Sequence, residues 1–179
     1  MLDAGIMEQW AGERFEVVPG YLNTATLGLP TRASLEVLRQ RMAEWQAGTL
    51  HAPSFDVDVD RCRTAYARLA GTSPARVAIA SQVSVVAGLV ASSCDAGTTV
   101  LCAEGDFTSV LFPFLADPRI DVRLVPLEAL IDSITDDVDL VAVSAVQSSS
   151  GTRHDLDALA DAAIQVGAKT LLDVTQAAG

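Results

Sequence analysis

Apolar positions follow two alternating patterns along the chain, one with the spacing of a helix and one with the short continuous runs of buried strands. Residues 31–46 and 57–70 show the helical spacing, and Gly71 closes the second segment. From residue 77 onward, short apolar runs alternate with helical segments. The predicted strands cover residues 77–80, 99–103, 122–125, 140–143 and 170–172, and the predicted helices lie near residues 84–93, 109–115, 127–133 and 155–166.

This alternation predicts an α/β fold, with a three-layer α/β/α arrangement around a mostly parallel sheet. We expect residues 1–50 to form an N-terminal arm with the first helix, and residues 51–179 to form a larger α/β domain. Parallel sheets of this kind bind ligands beyond the carboxyl ends of their strands. Polar residues directly after a predicted strand are therefore the first candidates for a functional site.

The charge and composition of the chain exclude several classes of partner. Its 179 residues carry a formal net charge of −11, which opposes binding to nucleic acid and to anionic membranes. The longest apolar stretch, near residues 83–94, is interrupted by serines and a glycine and is shorter than the roughly 18 residues of a membrane span. The first residues lack the basic region and apolar core of a signal peptide, so we expect a cytoplasmic protein.

The cysteines and histidines show no spacing typical of a metal site. The cysteines are odd in number, and no two of them have CxxC spacing: Cys62, Cys94 and Cys102. We therefore expect reduced thiols. His51 and His154 are expected to be loop histidines rather than proton shuttles.

Two segments after predicted strands lead directly into helices. Residues 80–84 end in Ser84, where a helix N-terminus offers unpaired N–H groups that can hold a phosphate; alternatively, Ser81 or Ser84 simply caps the helix. Residues 104–109 contain Phe107, whose ring can stack on a planar ligand or cover the core. Each segment alone leaves both interpretations open.

Two further segments follow later strands. Residues 144–151 form a polar turn that offers donors to a ligand or is only a turn. Asp173 ends the last strand, where a carboxylate is costly to bury without a partner. A cationic ring nitrogen is one such partner, and a helix N-terminus is another.

Taken together and in this order, these segments resemble the class V aminotransferase family of fold-type I pyridoxal 5'-phosphate (PLP) enzymes. The family includes cysteine desulfurases, kynureninases and isopenicillin N epimerase-like proteins. Residues 171–179, LLDVTQAAG, resemble its most specific motif, an Asp-x-Ser/Thr-Gln run after a strand, and residues 21–28, YLNTATLG, resemble its N-terminal motif. The resemblance implies that residues 51–179 are part of a PLP-binding large domain.

The resemblance also implies roles for individual residues. Asp173 matches the acid that pairs with the protonated pyridine nitrogen of PLP and keeps the ring an electron sink. Gln176 matches a residue near the phenolic oxygen of the cofactor. Val83 and Ser84 match the positions that hold the phosphate, and Phe107 matches the residue stacked on the ring.

Other matches are less direct. The family often has Asn in the third segment as a partner for the cofactor oxygen, where this chain has Gln147 or Ser148. Asn23 and Thr24 lie in the N-terminal motif, which implies a position near the substrate. Many desulfurases have histidine where this chain has Phe107, so Phe107 is more similar to the kynureninase and epimerase branch.

The lysine that holds PLP as a Schiff base follows the Asp-x-Ser/Thr-Gln motif in this family, and this sequence ends at Gly179 before such a position. Its single lysine, Lys169, precedes Asp173 at the start of the last predicted strand, where we expect a structural or solvated role. The family's C-terminal small domain is absent as well. We therefore expect the 179-residue chain to be a fragment or truncation that is inactive alone.

The predicted function is that of a PLP-dependent enzyme acting on an amino acid by transamination, elimination or epimerisation, and the resemblance implies a homodimer. An alternative is a non-catalytic, degenerate or truncated domain that binds a partner or a phosphate ligand. A third possibility is another phosphate-handling α/β enzyme. The sequence contains no GxxxxGK[ST] loop, no GxGxxG after a strand and no GxSxG elbow to support it.

Overall fold

The computed structural model describes residues 11–24 and 26–178. Contacts divide the chain into two compact units, Met1–Cys62 and Arg63–Gly179. The predicted division between an N-terminal arm with the first helix at residues 1–50 and a partial large domain at residues 51–179 remains a prediction.

The first unit contains helix α1, Arg32–Gln46, and the start of helix α2, Asp56–Leu69. Thr31 caps α1, because its hydroxyl accepts a hydrogen bond from the backbone N–H of Ser34 at 3.1 Å. A short 3-10 helix, Ala52–Phe55, precedes α2. Both predicted helices are confirmed, each within one residue of the expected bounds.

The described part of the second unit contains the end of α2, four strands and three further α-helices. The strands are β1 (Thr99–Ala103), β2 (Asp121–Val125), β3 (Leu140–Ser144) and β4 (Lys169–Asp173), and the helices are α3 (Val83–Ser92), α4 (Thr108–Leu115) and α5 (Leu156–Val166). All strand pairs are parallel, in the order β2-β1-β3-β4. The order places β3 between β1 and β4, so three strands end side by side.

Two apolar clusters cover the two faces of this sheet. One combines alternate side chains of β1 and β3 with α3 and α4: Ala87, Ala91, Val100, Cys102, Val110, Leu111, Phe114, Ile120, Leu140 and Ala142. The other combines the intervening strand side chains with α5 and the 127–138 segment: Leu101, Ala103, Leu130, Ile134, Val138, Val141, Val143 and Leu159. Successive side chains of a strand point to opposite faces, so the runs are apolar at every position. The α/β/α layering and the parallel sheet are confirmed.

Two predicted elements differ from the structure. Residues 77–80 form no strand, because within the described residues no neighbouring strand pairs with them, and the carbonyl of Val77 accepts a hydrogen bond from Arg63 Nε at 2.8 Å instead. The helix predicted near 127–133 is two 3-10 turns, Leu127–Ala129 and Ile131–Ser133. So short a connection favours tight turns, and the Ser133 hydroxyl bonds the carbonyl of Ala129 at 2.7 Å.

Candidate functional site

A cavity of about 520 Å³ lies where β4 ends and α3 begins. Its size falls in the range of small-molecule and cofactor pockets. Its lining is mostly apolar, with polar groups at a few points: Tyr66, Ala80, Gln82, Val83, Val86, Ala87, Val110, Leu171, Leu172, Asp173, Val174, Thr175 and Ala178. The cavity therefore sits at the carboxyl edge of the parallel sheet, where such folds bind ligands.

Asp173 supplies the carboxylate of this cavity. It is half-buried, and its Oδ1 accepts hydrogen bonds from the backbone N–H of Thr175 at 2.9 Å and from the Thr175 hydroxyl at 2.5 Å. Its backbone carbonyl accepts a hydrogen bond from the N–H of Ala145, which fixes the end of β4 against the residue that follows β3. The two bonds to Oδ1 orient the carboxylate, and within the described residues Oδ2 makes no hydrogen bond.

The first turn of α3 faces the same cavity through Val83. Gln82 is the N-cap residue, with φ −166° and ψ 161°, and its side chain makes no capping hydrogen bond. A helix start without a side-chain cap keeps N–H donors and a partial positive charge available for an anion. Ser84, next to Val83, is half-buried in this turn.

Phe107 is the N-cap residue of α4 and is 50% exposed. Just before it, Asp106 is buried to 4% exposure. The Asp106 Oδ1 accepts from Phe107 N at 2.6 Å and from the Ser144 hydroxyl at 2.6 Å, and Oδ2 accepts from Ser144 N at 2.8 Å. Three hydrogen bonds thus satisfy a buried carboxylate that has no ion pair among the described residues.

The segment after β3 folds back on itself through a bridge between Val146 and Arg153. Gln147 is 5% exposed, and its side-chain Nε2 is buried without a hydrogen bond, as is Nε2 of His154. Burial lowers the pKa of His154, and the charge of Asp106 partly opposes this shift. Ser148, by contrast, is exposed at the turn.

The structure brings some predicted site residues together and leaves others apart. Val83 and Asp173 line one cavity, with Ser84 beside Val83. Gln176 is half-buried in the turn after β4. Among the described residues, Phe107 and Ser148 do not line the cavity, although their segments follow β1 and β3 at the same edge.

Asn23 and Thr24 lie in the first unit and are exposed. The backbone carbonyl of Asn23 accepts the Tyr21 hydroxyl at 3.2 Å, which is a local turn contact. Their predicted role near the substrate remains a prediction.

Sequence reasoning missed three residues of this region: Asp106, Ser144 and Tyr66. Ser144 directly follows a predicted strand and Asp106 lies three residues after another, where a buried carboxylate needs partners. Tyr66 carried no such signal, because it lies inside a helix that shows only the usual apolar spacing.

The described residues contain no group of His, Cys, Asp and Glu side chains that could hold a metal ion. The three cysteines are free, and burial raises the pKa of Cys102 to about 12. In the described part of the chain, no helix has the length and apolarity that a bilayer crossing needs.

A parallel sheet covered on both faces, with an acid and a helix N-terminus at its carboxyl edge, defines an α/β domain of the kind that binds phosphorylated ligands. The family description "Aminotransferase class-V" matches residues 80–179. The chain therefore belongs to the class V aminotransferase family. No curated protein sequence matches significantly.

Several solved structures share the fold. The cysteine desulfurase CsdA from Escherichia coli matches with a TM-score of 0.76 and 18% identity over 93% of this chain and 48% of its own. A mutant of C-DES with glycine covalently linked to PLP matches with a TM-score of 0.74 and 16% identity over 99% of this chain and 50% of its own. A cysteine desulfurase from Thermococcus onnurineus NA1 matches with a TM-score of 0.71 and 16% identity over 97% of this chain and 48% of its own.

The chain spans about half the length of these structures. At such identities the likeness establishes the fold, and the family match establishes the relationship. The predicted family is thereby confirmed, and PLP is the cofactor that the family membership indicates.

Proposed function

We propose that the cavity between β4 and α3 holds PLP, and that the protein uses it to act on an amino acid. The observation that carries the proposal is one cavity that joins an oriented carboxylate, Asp173, to an uncapped helix start at Val83. A pyridine nitrogen and a phosphate at opposite ends of one ligand require this pair of groups.

The geometry of Asp173 fits a protonated ring nitrogen. Thr175 donates two hydrogen bonds to Oδ1 and so holds the carboxylate in one orientation. Oδ2 stays available to accept a hydrogen bond from a protonated nitrogen. A cationic partner stabilises a half-buried carboxylate more than an exposed one, because the surrounding protein screens the attraction less than water does.

The start of α3 fits a phosphate. The backbone N–H groups of Val83 and Ser84, together with the Ser84 hydroxyl, are donors at the positive end of a helix of ten residues. The chain offers no lysine here, since its single lysine is Lys169. Phosphate binding would therefore rest on these N–H groups, the Ser84 hydroxyl and the helix dipole.

Two amides are candidates for the phenolic oxygen of the cofactor. Gln176 follows Asp173 by three residues, and Gln147 has a buried Nε2 donor without a partner. Ser148 is the other residue at the position where the family often has Asn, and its exposure in the turn favours Gln147 as the donor.

PLP, when bound, supplies an electron sink for the negative charge that develops at the substrate Cα. Asp173 would keep the ring nitrogen protonated, and Phe107 would cover a ring face and exclude water from it. The Phe107 side chain has no titratable group, so it cannot move a proton there. We therefore favour transamination, elimination or epimerisation over a reaction that needs a histidine at this position.

Lys169 is not part of the proposed site. It begins β4, whereas Asp173 ends it, and four residues of strand separate their Cα atoms by about 13 Å. Its backbone N–H bonds the carbonyl of Asp139 at the opposite edge of the sheet.

We further propose that the protein works in the cytoplasm as a homodimer on a small amino acid substrate. The net charge of −11 opposes nucleic acid and anionic membrane as partners. The homodimer rests on the family relationship.

A PLP titration of the purified protein, followed by absorbance and by cofactor fluorescence, tests the proposal. Asp173→Ala removes the carboxylate, and Asp161→Ala makes the same change at an exposed position on α5. We expect Asp173→Ala to weaken PLP binding by about tenfold or more, since a charge-assisted hydrogen bond contributes about 1.5–3 kcal/mol. The bound absorbance band should also shift, because ring protonation is lost.

Saturable PLP binding that is unchanged in the Asp161→Ala variant and weakened in the Asp173→Ala variant supports the proposal. Equal affinities of the Asp173→Ala variant and the unmodified protein would refute the role of Asp173. No saturable binding by the unmodified protein would refute the function and favour a non-catalytic domain.

A further inference from the structure

The carboxylate of Asp106 joins two segments that are distant in sequence. Its Oδ1 accepts from the backbone N–H of Phe107, in the loop after β1, and its Oδ2 accepts from the backbone N–H of Ser144, at the end of β3. The Ser144 hydroxyl adds a third bond, to Oδ1, at 2.6 Å. The loop that carries Phe107 is therefore tied to β3 across 38 residues of sequence.

This arrangement is not an ordinary helix cap. The N-cap residue of α4 is Phe107, which has no side-chain acceptor, and Asp106 precedes it. A capping carboxylate bonds the N–H of the second or third residue of its helix, whereas Asp106 reaches into a neighbouring strand. The contact thus fixes the position of the loop relative to the sheet.

The anchor point is next to the proposed cofactor site. Ser144 is the register partner of Asp173 in the pairing of β3 with β4, and Ala145 N donates to the Asp173 carbonyl at 2.9 Å. A loop fastened to Ser144 is therefore fastened to the strand position that neighbours Asp173.

Phe107 needs such a fastening. Its ring is half exposed, so packing of the ring itself does not fix it. Holding the backbone of such a group in place beforehand lowers the entropy cost of covering one face of a planar ligand.

We propose that Asp106 is a positioning residue that holds Phe107 in place for the face of the bound cofactor. This inference rests on the proposed function, because it requires PLP at the carboxyl edge of the sheet. Asp106 is buried and does not line the cavity, so it would act through Phe107.

Asp106→Asn is the sharpest perturbation of this tether. An amide keeps one acceptor oxygen, but two backbone N–H groups, of Phe107 and of Ser144, bond different oxygens of Asp106. Either orientation of the amide leaves one of these N–H groups facing an NH₂ group. The Ser144 hydroxyl can rotate to accept, so the loss falls on the backbone tether.

The test is a double-mutant cycle of Asp106→Asn with Phe107→Ala on the holoenzyme, read out as PLP affinity and as the circular dichroism of the bound cofactor. We expect Asp106→Asn to weaken PLP binding by about fivefold when Phe107 is present and by less than about twofold in the Phe107→Ala background. Asp106→Asn should lower the circular dichroism of the bound cofactor when Phe107 is present. In the Phe107→Ala background, Asp106→Asn should leave this dichroism unchanged.

Equal, additive effects in both backgrounds would overturn the inference and make Asp106 a residue of general stability. If Asp106→Asn does not fold, Ser144→Ala replaces it, because that change removes the hydroxyl bond and leaves both backbone bonds. It should show a smaller loss, about twofold, that vanishes in the Phe107→Ala background; persistence of the loss there would again overturn the inference.

The cycle separates this inference from the proposed function. If PLP binds and Asp173→Ala weakens it while the Asp106→Asn effect is absent or additive, only the positioning role fails. If PLP does not bind the unmodified protein, both fail.

Discussion

Phe114 allows a quantitative test of the packing that supports the site. Its side chain is 0% exposed and belongs to the apolar cluster between the sheet and helices α3 and α4. Phe112 lies two residues earlier on the same helix and is 59% exposed. Changing each to Ala removes the same atoms from a buried and an exposed position.

The expected losses differ by several kcal/mol. A buried Phe→Ala change costs about 3–5 kcal/mol, which combines lost transfer free energy with the cavity that remains. An exposed change costs about 0.5 kcal/mol or less. Because domains are stable by about 5–15 kcal/mol, Phe114→Ala would remove a large share of the free energy of unfolding.

Urea unfolding followed by far-UV circular dichroism measures this difference. The midpoint of the Phe114→Ala variant should fall by on the order of 2 M, and its melting temperature by about 6–20 °C. Phe114→Leu, which keeps most of the apolar volume, should lose much less. Similar losses for Phe112→Ala and Phe114→Ala would refute the assignment of Phe114 to the core.

Three further predictions concern the site and its scaffold. Thr175→Val removes the hydroxyl bond to Asp173 and should weaken PLP binding by about two- to tenfold in a fluorescence titration, while Thr175→Ser restores the affinity; no difference between the two would contradict the orienting role of the hydroxyl. Asp155→Ala removes the side-chain cap of α5 and should lower the free energy of unfolding by about 1 kcal/mol in a urea titration, whereas Asp155→Asn keeps an acceptor oxygen and should lose a few tenths; equal losses would argue against the cap. Burial raises the pKa of Cys102 to about 12, so its thiolate forms only near that pH. A thiol reagent at pH 8 should therefore label exposed Cys62 quickly and Cys102 only on unfolding, which peptide mass spectrometry would detect.

The strands were predictable because each is a short apolar run bounded by polar residues. The strand at 99–103 has the predicted bounds, and β4 extends the predicted run by one residue at each end. The position of Asp173 at the end of a strand was predictable for the same reason, whereas its pairing with a cofactor remains a prediction. Local patterns therefore predicted most of the elements and one residue that lines the cavity.

The pairing of these elements was not predictable from local patterns. β1 and β3 are neighbours although β2 lies between them in sequence, and the Asp106–Ser144 contact depends on that order. The strand predicted at residues 77–80 is absent for a related reason, because a strand forms only when it hydrogen-bonds to a neighbouring strand. Apolar runs indicate which segments can pair, whereas the order of the sheet depends on packing of the whole unit.

The acidity of the chain and a phosphate ligand are compatible for a reason of distance. The net charge of −11 is spread over the surface, and at physiological ionic strength its field decays over about 8 Å. The N–H groups at Val83 and Ser84 would act at hydrogen-bond distance, where the helix dipole exceeds the screened field of remote carboxylates. Among the described residues, Asp173 is the carboxylate that lines the cavity, and a ring nitrogen rather than a phosphate would pair with it. Charge position within the cavity, and not net charge, therefore determines which ligand the site can hold.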